Sequence, residues 1–338
     1  MKADRIPLGD TDVLLLDLDG VVYVGRSAVP NAVDTLAAVR ERGVTVGYIT
    51  NNASRRPDVV ADQLRGFGLM VTDDQVVTSP QAAVVLLAEH LSPGARVLVI
   101  GGDGLTTVVR EAGFTVVDSA DDAPDAVAQG FAPEVGWKDL AEASFALADP
   151  DRLWVATNTD WTIPVDRGIA PGNGTLVSAV HSAVGRLPLV AGKPQRPIFD
   201  AAVARFGAKR PLFVGDRIDT DIAGAVAAGM PSAMVLTGVD GVLPLLAAGE
   251  QARPDYILRD LAGLLQPYPE VRMKRDGAHV GRAVARVQGQ DLQVVRDGDP
   301  VDVLRACCAA VWSAGVGAYA LRIPDAVRSL PVRSVAAR

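Results

Sequence analysis

Short runs of apolar, often β-branched residues recur along the chain, each followed by a longer stretch of helical period, and few folds accommodate that alternation. The run from Val13 to Asp17 predicts a strand, 31–41 a helix that Asn31 can N-cap, 44–49 a second strand, and 57–67 a second helix closed by Gly68. Further strands are predicted at 97–100, 153–156, 212–214, 233–236 and 256–258. These runs are nearly continuous in apolar residues, as in strands covered on both faces. Strands alternating with helices form βαβ units, which predicts the α/β class and a Rossmann-like, mainly parallel sheet. Ligands of such sheets bind outside the carboxyl ends of the strands, so the residues just after each strand are the candidates.

Four of those loops carry chemistry. The first strand ends in Asp17-Leu18-Asp19-Gly20 and the second in Thr50-Asn51-Asn52. The run 187–191 leads into Gly192-Lys193-Pro194, and the strand at 212–214 ends in Gly215-Asp216-Arg217-Ile218-Asp219-Thr220-Asp221. A carboxylate attacks phosphorus once a cation neutralises the substrate, giving an aspartyl phosphate. We assign Asp17 as that nucleophile and Asp19 as the general acid, then the base for the hydrolytic water. The same pair is also compatible with capping of the following turn.

Mg2+ prefers hard oxygen ligands and few protein carboxylates. Asp17, the backbone carbonyl of Asp19, and Asp216 make a plausible set, with Asp221 behind them or bonded through water. Asp219 is the weakest candidate, and Asp219, Thr220 or Asp221 can equally begin the next helix as an N-cap. Thr50 and the amides of Asn51 and Asn52 can hold phosphate oxygens, although Asn-Asn-Ala-Ser is ordinary turn composition. Lys193 can neutralise phosphate as a point charge, although one loop lysine is usually a solvated surface charge.

Positions 50 and 193 must reach one crevice, so the chain between them leaves the sheet and returns. This predicts a discontinuous core, 1–80 and 185–266, with an α/β cap inserted at 81–184. Pro267, Tyr268 and Pro269 read as a linker. Beyond it, residues 271–338 hold 11 basic and 6 acidic residues, against 22 and 34 in the rest of the chain. They predict a small C-terminal α+β module in the order ββαβ. Its hairpin strands are 278–287 and 292–295 around Gly289-Gln290, its helix 302–313 and its last strand 319–323. Such a module is marginal alone and is expected to dock on the rest or on a partner. It offers no evident chemistry.

Composition excludes other classes. A chain of 338 residues with net charge −7 and 5% aromatics suits neither phosphate neutralisation along a duplex nor base stacking, so no nucleic-acid partner is expected. The uncharged stretch from Ile222 to Val239 is long enough to suggest a membrane span, but its Gly224, Gly229, Pro231 and Gly238 divide it into helix, turn, strand and turn. Adjacent Cys307 and Cys308 read as packed thiols, and Met1 to Arg5 open without a signal-peptide pattern, so a cytoplasmic protein without membrane contact is expected. Gly101-Gly102-Asp103-Gly104 reads as a simple turn, and His90, His181 and His279 form no cluster.

The four loops, in this order and spacing, resemble motifs one to four of the haloacid dehalogenase (HAD)-like superfamily. The resemblance is to its phosphatase branch with a large α/β cap between the second and third motifs. That branch includes the NagD-like, nitrophenyl phosphatase, phosphoglycolate, glycerol-3-phosphate and pyridoxal phosphatase groups. The match covers about residues 10–265. It implies Asp17 as nucleophile, Asp19 as acid and base, phosphate binding by Thr50 and Lys193, and Mg2+ held by Asp17, Asp19 and Asp216. An Asp at position 19 favours a phosphatase over the dehalogenases. Thr157-Asn158-Thr159-Asp160 and Gly172-Asn173-Gly174 also resemble this branch, which implies Asn158 and Asp160 as specificity elements of the cap.

The expected activity is hydrolysis of a small phosphorylated metabolite, with glycerol 3-phosphate or 2-phosphoglycolate as the leading substrates. The alternatives are a nucleotide or pyridoxal phosphate phosphatase, a phosphotransferase, or, from another class, a phospho-accepting signalling protein. The cap and the C-terminal module are the candidate surfaces for a homo-oligomer. The module itself departs from the family, whose members usually end near position 265.

Overall fold

The computed structural model describes residues 6–165 and 167–332, the Pro164 side chain excepted. The reading made on Met1 to Arg5 therefore lies outside the described residues. The chain forms two compact units, Met1–Val46 with Ala208–Arg338, and Gly47–Gly207.

In the first unit, strands Tyr256–Leu258, Ser232–Val235, Pro211–Gly215 and Val13–Leu16 pair in that order, all parallel. All four residues of Val13–Leu16 are buried, as expected for a strand covered on both faces. Helix Ala32–Glu41 follows, and Asn31 occupies its N-cap position without capping it. Asn31 has φ +66°, and its Nδ2 donates instead to Asp260 Oδ2 at 2.9 Å. The apolar stretch after Asp221 divides as its glycines predict. A π-helical turn, Ile218–Ile222, runs into helix Ala223–Ala227, Gly229 turns at φ +74°, and strand Ser232–Val235 follows. Among the described residues no helix is long and apolar enough to cross a membrane.

The C-terminal segment differs from the predicted ββαβ order. Four antiparallel strands, Arg272–Lys274, Gly277–Val280, Ala283–Gln288 and Asp291–Arg296, form a meander that precedes helix Pro300–Ser313. The run read as one strand at 278–287 is two, because Gly281 turns the chain at φ +55°. Gly289, at φ +60°, makes the predicted hairpin turn. The expected strand at 319–323 is a 3-10 turn, Ala318–Ala320, with one bridge from Arg322 to Asp291.

The helix buries Val301, Val303, Leu304, Ala306, Cys307, Cys308, Ala310 and Val311. They form one hydrophobic cluster with Ile218, Ile222, Met234, Leu245 and Ile257. The Arg305 guanidinium donates to Ile257 O from Nε (2.9 Å), pairs with Asp302 (2.7 Å) and stacks on Tyr268 at 4.4 Å. Trp312 Nε1 donates to Leu245 O at 3.3 Å. The module is thus docked on the parallel sheet's layer both by this shared apolar packing and by these hydrogen bonds. Burial pushes the Cys307 thiol up to about 12 and holds Cys308 well above the ordinary thiol value. Leu304 is fully buried, so Leu304→Ala is expected to cost about 2–5 kcal/mol, read as a lower midpoint in denaturant. An unchanged midpoint would mean that the module contributes nothing to the stability of the unit.

In the second unit, strands Thr45–Thr50 and Val76–Thr78 are parallel, with Tyr48 opposite Val76 and Thr50 opposite Thr78. The first of them carries the boundary between units at Val46. A separate five-stranded parallel sheet has the order Leu189–Val190, Leu153–Ala156, Ala126–Gln129, Arg96–Ile100, Thr115–Val117. Helices Trp137–Ala146 and Asn173–Val184 bury Ala143, Ala146, Val177 and Val180 against Leu98, Ile100, Val127 and Trp154. The residues Gly101 to Gly104 are more than a turn. Gly102 is the N-cap of helix Asp103–Glu111, and a Cβ on Gly104 would lie 2.9 Å from Ala53 O. A hairpin, Thr162–Val165 with Gly168–Pro171, was not foreseen.

Candidate active site

Two strand ends of the first unit build an acidic centre. Val13–Leu16 delivers Asp17, and the adjacent parallel strand Pro211–Gly215 delivers Asp216, because Leu16 lies opposite Val214. Asp221 returns to the same place from the π-helical turn. Its Oδ2 accepts the main-chain N–H groups of Asp216 (3.0 Å) and Arg217 (3.1 Å). Carboxylate oxygens of Asp17, Asp216 and Asp221 lie within 4.8 Å of one another, and all three residues are buried. The N-cap alternative fails, since neither the turn nor helix Ala223–Ala227 has a side-chain cap. Asp219 turns outward to Arg217, with Arg217 Nη2 2.8 Å from its Oδ2. Burial would raise the Asp219 carboxyl, but the Arg217 hydrogen bond and charge hold it below the ordinary value.

Glycines make this centre close-fitting. A Cβ on Gly238 would lie 1.9 Å from Asp216 Oδ2, and one on Gly20 would lie 2.4 Å from it. Gly20 also has φ +84°. Val239 N donates to Asp216 Oδ2 at 2.6 Å, and Thr237 Oγ1 donates to Gly20 O at 2.5 Å. Asp240 Oδ2 accepts Ile218 N at 2.7 Å, and burial raises its carboxyl. Asp19 is not one of the three clustered carboxylates. Its side chain is exposed and accepts from Tyr23 O–H at 3.2 Å. Sequence reasoning missed Tyr23, Thr237, Gly238 and Asp240. The rule that reads the residues after each strand applies equally to those after Ser232–Val235 and would have reached the last three.

Three buried carboxylates this close repel unless a cation lies among them, and an all-oxygen donor set suits a hard divalent ion such as Mg2+. The residues present therefore fit magnesium.

The second unit assembles the other motif residues. Thr50, buried, ends its strand, and its Oγ1 accepts Asn52 N at 3.1 Å. Asn52 Oδ1 accepts Ser54 N (3.0 Å) and Arg55 N (3.2 Å), so its side chain shapes the turn. Asn51 meets Lys193, 142 positions away in sequence, as the predicted excursion of the chain requires. Asn51 Oδ1 accepts Lys193 N (2.8 Å), and Asn51 Nδ2 donates to Lys193 O (3.0 Å). Lys193 is 3% exposed, which removes the surface-charge alternative. Asn158 Nδ2 donates to Asn51 O at 2.8 Å, and Asp160 accepts from Asn51 Nδ2 at 3.1 and 3.2 Å. Asn158 Nδ2 and the Asp160 carboxylate thus both meet Asn51. Each histidine has a local partner: Leu86 O for His90, Arg186 O for His181 and Asp276 for His279.

A haloacid dehalogenase-like hydrolase family model matches residues 14–115, and a HAD-hydrolase-like model matches 190–264. A GCN5-related N-acetyltransferase-like model matches 284–327. The chain is 44% identical to the D-glycerol 3-phosphate phosphatase of Mycobacterium tuberculosis over 311 residues, 90% of this chain and 86% of that one. It is 33% identical to an acid sugar phosphatase of Staphylococcus aureus over 73% of this chain and 94% of that one. The crystal structure of the M. tuberculosis glycerol phosphate phosphatase in complex with magnesium superposes with TM-score 0.85 and 42% identity, covering 95% of this chain and 94% of that one. The chain belongs to the haloacid dehalogenase-like hydrolases, within their phosphatase branch. The module was expected to lie beyond where members of the family usually end, and the S. aureus match, over 73% of this chain, stops short of covering it. The 311 matched residues exceed the 270 that precede the module, so the M. tuberculosis enzyme shares at least part of it.

Proposed function

We propose that this chain is a Mg2+-dependent phosphatase of small phosphomonoesters, with glycerol 3-phosphate as its substrate. The observation that carries this reading is the buried Asp17–Asp216–Asp221 cluster. The substrate follows from the M. tuberculosis relative, whose similarity extends over 90% of this chain. We retain the core at 1–80 and 185–266 and the cap at 81–184 as the functional division.

Asp17 attacks phosphorus with a carboxylate oxygen, and the phosphorus–oxygen ester bond breaks. Asp19 gives its proton to the departing alkoxide, so glycerol leaves as the alcohol. Asp19 then takes a proton from water, whose oxygen attacks phosphorus and frees Asp17 and inorganic phosphate. Thr50 donates a hydrogen bond to the phosphate, with the Asn51 main-chain N–H beside it, since that of Asn52 is taken by Thr50 Oγ1, and Lys193 neutralises its charge. Asp17, Asp216 and the Asp19 carbonyl, with Asp221 supporting them, would hold magnesium, which would supply positive charge to let one anion approach another. Tyr23, bonded to the Asp19 carboxylate, supports the orientation of the acid and base.

A panel of phosphate esters with added Mg2+ tests the reading. Glycerol 3-phosphate is expected to exceed 2-phosphoglycolate, sugar phosphates, pyridoxal phosphate and nucleotides by about tenfold or more in kcat/KM. Activity should vanish in excess EDTA and return with Mg2+. A preference for sugar phosphates would instead favour the activity of the S. aureus relative. Undiminished rates in EDTA would remove the metal from the reading. A cytoplasmic location belongs to the same proposal, supported by the unpaired, buried Cys307 and Cys308.

A further inference from the structure

We propose that Asn51 and Asp160 are positioning residues that aim Lys193, rather than groups that touch the substrate; the inference rests on the phosphatase reading above. A long side chain enclosed in packed surroundings has little room to compensate for a shift of its own main chain. Lys193 is enclosed in this way at 3% exposure, so where its ammonium points is decided by where its peptide groups are held. Both of those peptide groups are held by one side chain. Asn51 Oδ1 accepts Lys193 N at 2.8 Å, while Asn51 Nδ2 donates to Lys193 O at 3.0 Å.

That grip works in only one orientation of the amide. A primary amide is a donor on one side and an acceptor on the other, whereas a carboxylate accepts only. Asp160 faces the donor side, at 3.1 and 3.2 Å from Nδ2. A flipped Asn51 would set its oxygen against both the Asp160 carboxylate and Lys193 O, and its NH2 against Lys193 N–H. Asp160 therefore selects the orientation that grips Lys193. With Nδ2 committed to Asp160 and Lys193, the Asn51 side chain has no donor left for a phosphate.

The surroundings fix the other parts. Asn158 Nδ2 (2.8 Å) and Ser79 Oγ (2.8 Å) both hold Asn51 O, and Asn158 Oδ1 accepts Asp160 N at 3.1 Å. Asn173 Nδ2 holds Asn158 O at 2.7 Å. A Cβ on Gly192 would lie 2.6 Å from Asn51 Oδ1 and 2.5 Å from Thr157 O, so a side chain there would force the grip open. Asp160 lies on the segment read as the cap, and Asn51 and Lys193 on segments read as the core. The aim of the lysine is thereby tied to the seating of the cap.

The test compares the wild-type chain with Asp160→Asn, Asn51→Ala and the double variant, using glycerol 3-phosphate as substrate and inorganic phosphate as competitive inhibitor. Asp160→Asn keeps shape but admits the flipped amide. The phosphate inhibition constant is expected to rise about tenfold, while the Mg2+ activation constant and the melting temperature stay within about twofold and about 2 °C of wild type. Because the two residues act through one contact, the double variant should be no worse than Asn51→Ala alone, within about twofold. An unchanged phosphate constant in Asp160→Asn, or effects that multiply in the double variant, would overturn the inference. If Asn51→Ala does not fold, the isosteric Asp160→Asn decides alone. A wild-type chain without Mg2+-dependent phosphate release would overturn the phosphatase reading, which is a different failure from an active wild type matched by its variants.

Discussion

Asp17→Asn is expected to reduce phosphate release to background, a loss of about 10⁴-fold or more, because a neutral amide cannot form the acyl phosphate. The substitution keeps shape and hydrogen-bonding size, so the fold should persist. Without metal the variant should be at least as thermally stable as wild type, since one of three mutually repelling buried carboxylates has gone. With Mg2+ the order should reverse, because wild type gains more from binding the ion. Phosphate assays and melting scans with and without Mg2+ check both statements. Normal turnover in Asp17→Asn would remove this residue from the nucleophile's role.

The second large effect is expected at a residue with no functional group. Gly238→Ala adds a methyl 1.9 Å from Asp216 Oδ2, where no side chain fits without displacing the carboxylate or the Val239 amide bonded to it. Overpacking of this kind costs about 1–3 kcal/mol. Displacing a metal-holding carboxylate should weaken Mg2+ activation by about 10–100-fold, the scale seen when the supports of metal ligands are lost. A titration of activity against Mg2+, alongside a denaturant melt, separates the two effects. A variant that melts earlier but keeps its Mg2+ dependence would show that Asp216 can relax away from the methyl.

Much of this was legible in the sequence. The parallel sheet followed from runs such as Val13–Leu16 that are apolar on both faces, and the meeting of Asn51 with Lys193 followed from the need to bring two distant loops together. The less legible parts have definite physical causes. Asn31 looked like a cap, but its side chain is held instead by donating Nδ2 to Asp260, supplied by a loop 229 positions away. Local pattern cannot reveal a partner that only folding brings near. The run at 278–287 kept strand composition throughout, and only the left-handed Gly281 divides it. The 319–323 segment has strand-forming residues but contributes a single bridge, at Arg322, so composition outran pairing there. Asn158 and Asp160 were read as specificity elements of the cap, because family patterns mark positions and not bonding partners. Their bonds to Asn51 became visible only in three dimensions.

One further consequence concerns the adjacent cysteines of the Pro300–Ser313 helix. With both thiols driven far from ionisation by their surroundings, the folded chain carries almost no thiolate at neutral pH on either sulfur. Oxidants and alkylating agents then act on these sulfurs only when the helix lifts away. The tolerance of the molecule to such agents is set by how often that local opening occurs, not by the chemistry of sulfur.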